Sequence, residues 1–549
     1  SSQRAQASPH RRHPRPSSTT HPAAPSSSSP AMPTAETQPL VKSVNPAEWG
    51  SIQDVVNAPL IDVPADASWL SVAGMWLTLP ISLIQGVIGG LCSSVFVCMS
   101  IGTCCIPCSE QLCSAMGSVM QGHPCYLAWT WWRYVIGGLV ALIANGKSRL
   151  ALFTWEWKSF GSAAYWWHGE GIWMWSYKDC DRILKSQQVR KSAFGCVTAC
   201  IPDLFATNVL IFLSNDGPNS DWAAVRAALH NMFLNPEGLA YRERISKLQS
   251  LVSNDWKDPK FDQLNDKTLL QRSVVKCIMF VMFGEWLDDA DADTLAGWRT
   301  EASAFILPRL VQRFAFNLLI NKVKKLRIDT VGIIVKLNLQ QAFIDMNNSL
   351  PSRWQRSPVV KLCDEIMYVI GFAGIGGTSA AVESVASFLQ VKSGEAPTKS
   401  IDFGDYNTAD KMKAAFAQDP DAYIRETCRL DPPVTSATGV LKEVTEVSLA
   451  GRDFTFDPGL LNQYVLSMAN RDPALFSSPE KFDPGRINLH RALTWNGAFG
   501  AADEADYPRI CPGRYLSLDV TKVIINHVLG TSAPLNQYFG DGVPPRGCC

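Results

Sequence analysis

Apolar positions recur at three- and four-residue spacing through most of the second half of the chain. That period predicts helices over Trp222–Phe233, Leu269–Phe283, Leu295–Leu326, Ile333–Asn347, Val359–Gln390, Ala409–Arg429 and Tyr515–Leu529. Short alternating runs predict strands at Gly171–Ser176 and around Glu446–Phe456. Helices leading into a late, loop-rich part predict a mainly α domain with small β-sheets (α+β) over residues 150–549. No internal repeat is evident.

The first part of the chain follows a different pattern. Residues 1–45 are rich in Ser, Pro, Ala, His and Arg and poor in acids and large apolar side chains, which predicts disorder. This stretch reads either as a plastid or mitochondrial transit peptide or as sequence ahead of a start at Met32; its proline density favours the second. From Trp69 to Ser109 there is no charged residue, although Pro80, Gly86, Gly89 and Gly90 lie inside the run. Tyr126–Ala144 is a second apolar stretch, with Trp129, Trp131, Trp132 and Tyr134 beside Arg133, and Lys147 and Arg149 follow it. A spanning helix needs about 20 apolar residues, and aromatic and basic residues mark membrane interfaces. Residues 46–149 are therefore expected to be a membrane-anchor region, with a buried helix pair as the alternative.

Composition narrows the partners. Lys plus Arg equals Asp plus Glu, 50 against 50, so charge gives no reason to expect a nucleic-acid partner. Of 16 cysteines, seven lie between Cys92 and Cys125 and the rest are scattered, which fits a reducing compartment better than a disulfide framework. Cys104, Cys105, Cys108 and Cys113 have zinc-like spacing but no neighbouring polar ligands; S-palmitoylation, or no role, is the better expectation.

The candidate chemistry centres on Arg509-Ile510-Cys511-Pro512-Gly513-Arg514. Pro512 suits a first helical position, so N–H groups and the positive helix end are expected to face the Cys511 sulfur and favour thiolate. Gly513 leaves room for a flat ligand near the backbone. On these residues alone, Cys511 is either an iron ligand or an ordinary cysteine at a helix start.

Other elements appear upstream of it in a particular order. They are Trp222 and Arg226, one helical turn apart; Glu426 and Arg429, three apart; Asn470-Arg471-Asp472-Pro473; and Phe482-Asp483-Pro484-Gly485-Arg486. Together with Cys511 they resemble the cytochrome P-450 superfamily. The resemblance implies that fold, haem b as cofactor and Cys511 as axial iron ligand. It implies propionate contacts from Trp222, Arg226 and Arg509, with Gly513 beside the cofactor. It assigns Glu426, Arg429 and Arg486 a structural role, locking the loop that leads to the cysteine.

In oxygen-activating members an acid and then an alcohol in the central helix deliver protons. Here Gly377 stands in the acid's place, followed by Thr378 and Ser379. Ala501–Pro508 also lengthen the stretch between Phe499-Gly500 and Arg509. Those two departures, with Phe372, Gly376 and Gly377 in the central helix, are similar to the allene oxide synthase and hydroperoxide lyase group. Members of that group rearrange fatty-acid hydroperoxides without a reductase. Ala373 departs from it, standing where the group has an asparagine. Three functions remain in view: hydroperoxide rearrangement, NADPH-reductase-dependent monooxygenation of a lipid or sterol-like substrate, and a non-catalytic haem-binding membrane protein. Phe372, Ala373, Gly376, Gly377, Thr378 and Ser379 are the expected distal residues against a lipophilic substrate. The expected setting is the endoplasmic reticulum or plastid envelope, with the domain facing a reducing compartment.

Overall fold

The structure is a computed structural model and describes residues 44–56, 163–165, 171–174, 176–186, 189–190, 210, 221–257, 264, 266–303, 309–390, 401–435, 437–441, 445–449, 452–456, 461–531 and 535. The N-terminal stretch, the two apolar stretches and the four clustered cysteines Cys104, Cys105, Cys108 and Cys113 lie outside the described residues. Eleven helices carry the argument: α1 Tyr177–Lys185, α2 Asp221–Leu229, α3 Leu239–Asp255, α4 Lys267–Phe283, α5 Asp289–Ser303, α6 Arg309–Lys336, α7 Gln340–Ser349, α8 Val360–Leu389, α9 Ala409–Gln418, α10 Pro420–Leu430 and α11 Arg514–Leu529. Five strands form one sheet in the order β1 (Ala163–Tyr165), β2 (Gly171–Met174), β7 (Leu461–Tyr464), β4 (Ala437–Leu441), β3 (Val189–Arg190). Within it only β2 and β7 run parallel. A separate hairpin pairs β5 (Thr445–Leu449) with β6 (Arg452–Phe456).

Local chemistry sets the helix ends. Asp266 caps α4 by accepting from the N–H groups of Thr268 and Leu269, at 2.9 and 3.3 Å, and Gly284 closes it at φ 86°. Three expected helices are each broken in two. The run expected over 295–326 is split between α5 and α6, and Pro308 precedes the second. The run over 333–347 ends at Lys336, passes Asn338 at φ 56° and restarts at Gln340. The run over 409–429 breaks at Asp419-Pro420, where Asp419 caps α10 and Pro420 takes its first position. Glu426 and Arg429 therefore sit on a short helix of their own.

The core lies between the long helices. α8 packs on α5, α10 and α11, and α4 packs on α3 and α5. Buried charges are paired within it: Arg327 of α6 grips Asp364 of α8 at 2.6 Å, and Lys276 of α4 meets Asp255 and Asp289 at 2.8 and 2.6 Å. The single turns Pro46–Trp49 and Ile52–Val56 belong to this body too. Trp49 is buried beside Phe343, Val55 is buried, and the Val359 N–H donates to the Glu48 carbonyl at 3.1 Å. Residues 46–56 thus pack against this body, and the rest of the expected anchor region lies outside the described residues. Among the described residues, α8 alone is long and apolar enough to cross a membrane, and it packs into the core of this body.

α8 is not a uniform helix. Val360–Val369 is α-helical, Ile370–Ile375 widens to a π-turn, and Gly376–Leu389 returns to α. Trp298 of α5 crosses at this point. A Cβ on Gly371 would stand 2.5 Å from the Trp298 Cβ. Trp298 packs edge-on against Tyr368 and donates to the Thr330 hydroxyl at 3.0 Å, so the indole has no room to retreat. Gly371→Ala should therefore destabilise the fold by about 1–3 kcal/mol through overpacking. Gly332→Ala in α6 has nothing within 4 Å and should stabilise it by about 0.5–1 kcal/mol. Denaturant midpoints of the two variants check both signs.

Candidate active site

The Cys511 loop is held by backbone bonds on both sides of the cysteine. Its N–H donates to the Trp495 carbonyl at 2.8 Å, and its carbonyl accepts from Arg514 Nη1 at 3.0 Å. α11 begins at Arg514 with Gly513 as the capping residue, so Pro512 lies outside the helix and not at its first position. The turn nevertheless brings the Gly513 N–H onto the sulfur. Burial pushes the thiol up, and that N–H, with the Arg226 and Arg514 guanidiniums, pulls it only partly back. The neighbouring N–H and guanidiniums thus oppose, without cancelling, the effect of burial on the thiol.

Two cations converge beside it. Arg226, one turn after Trp222 on α2, lies 5.3 Å from the indole centre, and Arg509 lies 4.7 Å from the same ring. Arg226 also donates to the Ile510 carbonyl. Burial and the neighbouring Arg226 push Arg509 down to about 9, against the pull of Tyr464. Carboxylates seated here would offset both the desolvation and the mutual repulsion. His230, on the π-turn that follows α2, is pushed down to about 4 by burial and by Arg514 and Arg226, so it is neutral at pH 7.

The structural trio comes together. Glu426 takes Arg429 bidentately at 2.7 and 2.8 Å, both side chains having no exposure, and Arg486 approaches the same carboxylate at 3.6 Å. Glu426 also accepts the Asp483 N–H at 2.9 Å. Arg429 donates to the carbonyls of Asn470, Pro479 and Lys481, and Arg486 to those of Ser477, Ser478 and Lys481. These three residues pin the loop between α10 and the cysteine segment.

Along α8 the distal candidates divide. Ala373 is exposed and Phe372, Gly376 and Gly377 are partly so, while Thr378 and Ser379 are buried. Ala373, Gly376, Gly377 and Ala380 share one helical face by their spacing. A Cβ added at Gly376 or Gly377 would meet nothing within 4 Å. The Ser379 hydroxyl has no hydrogen-bond partner. Thr378 and Ser379 thus lie off the uncovered face that they were expected to line. The face is small, apolar and without a proton-carrying side chain.

The lengthened segment folds back tightly. Tyr507 packs where Gly497 leaves room, since a Cβ there would stand 2.8 Å from the ring, and its hydroxyl donates to Asp181 of α1. Asp503 pairs with Lys185 and Arg491, each at 2.7 Å. Arg425 donates to the Phe499 carbonyl at 2.7 Å and lies over its ring. Sequence reasoning missed Arg425, Glu504 and Arg514, all tied to this loop. Only Arg514 carried a local signal, three residues after the cysteine.

Residues 420–531, from α10 through the cysteine to α11, match the family model "Cytochrome P450". The fold agrees with the ligand-free crystal structure of Mycobacterium smegmatis CYP164A2 at TM-score 0.50 and 17% identity, over 72% of this chain and 92% of that one. The described fold is that of the cytochrome P450 superfamily, and residues 420–531 carry its sequence match. Among curated P450 proteins, this chain is 28% identical to Luvungin A synthase of Citrus sinensis over 128 residues, 23% of each chain. It is 36% identical over 124 residues to the mitochondrial cholesterol side-chain cleavage enzyme of Bos taurus, 22% of each chain. The chain spans less than a quarter of the length of these curated relatives.

Haem b is the cofactor of that family, and the residues present fit it. Cys511 offers one sulfur among cationic neighbours, Arg226 and Arg509 offer positive charge for propionates, and at Gly376 and Gly377 α8 has no Cβ to obstruct a flat ring. The loop that carries the sulfur depends on Glu426. Glu426→Ala leaves Arg429 charged and fully buried, and should cost about 3–5 kcal/mol of stability. Denaturant unfolding measures it.

Proposed function

We propose that this P450 is a haem-thiolate oxidoreductase of monooxygenase type, acting on a lipophilic small molecule with electrons from an NADPH-dependent reductase. The observation that carries the proposal is the Cys511 site, a sulfur beside the Gly513 N–H and the Arg226 and Arg514 guanidiniums, with Arg509 over the Trp222 ring. Cys511 would hold the haem iron, and Trp222, Arg226 and Arg509 its propionates, with Gly513 beside the ring. Bound there, haem supplies oxidation of unactivated carbon, tuned by its thiolate. The chain's own residues do the rest. The Gly513 N–H and the Arg226 and Arg514 charges stabilise negative sulfur, and the Glu426–Arg429–Arg486 lock keeps its loop in place. The uncovered face of Ala373, Gly376, Gly377 and Ala380 excludes polar groups and favours an apolar substrate. The relatives support the class, since one is named for cholesterol side-chain cleavage and another, from Aspergillus calidoustus, for monooxygenase activity. Attachment to a membrane through the apolar segments of residues 69–144 goes with a lipophilic substrate.

A second reading is favoured by one observation. With Gly377 in the acid's place and Thr378 and Ser379 buried, the face provides no side chain to relay protons. Hydroperoxide rearrangement needs no such relay. The two readings separate in one experiment. The haem-loaded protein is mixed with a fatty-acid hydroperoxide, with and without NADPH and reductase, while peroxide and NADPH are followed. The monooxygenase reading expects NADPH consumption coupled to hydroxylation and little reductase-free peroxide loss. Rapid peroxide loss without NADPH overturns it in favour of the second.

A further inference from the structure

The lengthened loop brings one carboxylate to the cysteine segment. Glu504 opens the short turn Glu504–Asp506 inside the Ala501–Pro508 stretch. One of its oxygens accepts Arg514 Nε at 2.9 Å and Nη2 at 2.6 Å; the other accepts the Gly500 N–H at 2.6 Å. Arg514 is 1% exposed and hands its remaining Nη1 to the Cys511 carbonyl at 3.0 Å. The side chain of Glu504 thus ties the start of the loop, at Gly500, to the peptide of the cysteine through one buried guanidinium. The neighbouring Asp503 points elsewhere, to Lys185 and Arg491.

We propose that Glu504 is a positioning residue for the thiolate ligand: through Arg514 it fixes the Cys511 carbonyl and so the direction of the sulfur. The inserted loop then serves the proximal ligand and is not merely a longer connection. Charge-assisted bonds of this kind are short and directional, and burial of Arg514 makes them hard to replace by water. The inference rests on Cys511 being the haem ligand.

The test compares haem-loaded wild type with Glu504→Gln, Glu504→Asp and Asp503→Asn. Two quantities are followed: the rate at which the reduced carbon monoxide complex loses its thiolate-linked band, and the global unfolding midpoint. Glu504→Gln keeps the shape but not the charge and should lose the band about tenfold faster, with Glu504→Asp recovering much of the difference. Asp503→Asn should leave the rate of band loss at the wild-type value, whatever it does to the midpoint. If Glu504→Gln leaves the band as durable as in wild type, or Asp503→Asn speeds its loss equally, the positioning role is overturned. Should Glu504→Gln fail to fold, a Glu504→Asp protein with wild-type midpoint and faster band loss supports the role, and one with unchanged loss overturns it. A wild type that never shows the band overturns the ligand assignment, and the positioning role with it.

Discussion

A partly buried thiol set among arginines is the constraint on which the rest of this domain depends. Taking the Cys511 sulfur out of water favours its neutral form, and the Gly513 N–H with two guanidiniums offsets that only in part. Nothing about the sulfur is useful unless its loop is rigid. The loop has Trp495 on one side of the Cys511 peptide and Arg514 on the other. Behind it stands the Glu426–Arg429 pair, which holds loop carbonyls far from the cysteine in sequence. Buried ion pairs are poor sources of net stability but effective at fixing one arrangement, and that is their use here.

Much of this was legible in the residues because the chemistry is local. Three-residue spacing puts Glu426 and Arg429 on one helical face. Trp222 and Arg226 follow the same logic. What the pattern of apolar residues could not show was interruption. A helical period runs through 295–326 and 409–429 alike, and only Pro308 and Pro420 betray the breaks. The π-turn in α8 was equally hidden, since the same residues fit a regular helix. Thr378 and Ser379, just past that turn, are buried. Pro512 lies two positions ahead of the first residue of α11 because Gly513 takes the capping place.

The lengthened loop shows a different limit. Its length was visible, but what it does depends on partners up to 326 positions away, as for Tyr507 and Asp181. Glu504 and Asp503 are adjacent acids with opposite tasks, one turned to Arg514 and the other to Lys185 and Arg491. Sequence spacing gives no sign of such a division, because it arises from the direction of two neighbouring side chains on one tight turn.

The central claim is that Cys511 carries the iron. The reduced carbon monoxide difference spectrum of the haem-loaded protein, beside that of Cys511→Ser, tests it most directly. The account predicts a thiolate-linked band in the wild type that is absent from Cys511→Ser, with the Soret absorption of both showing haem still present. A Cys511→Ser protein that keeps the thiolate-linked band would contradict it.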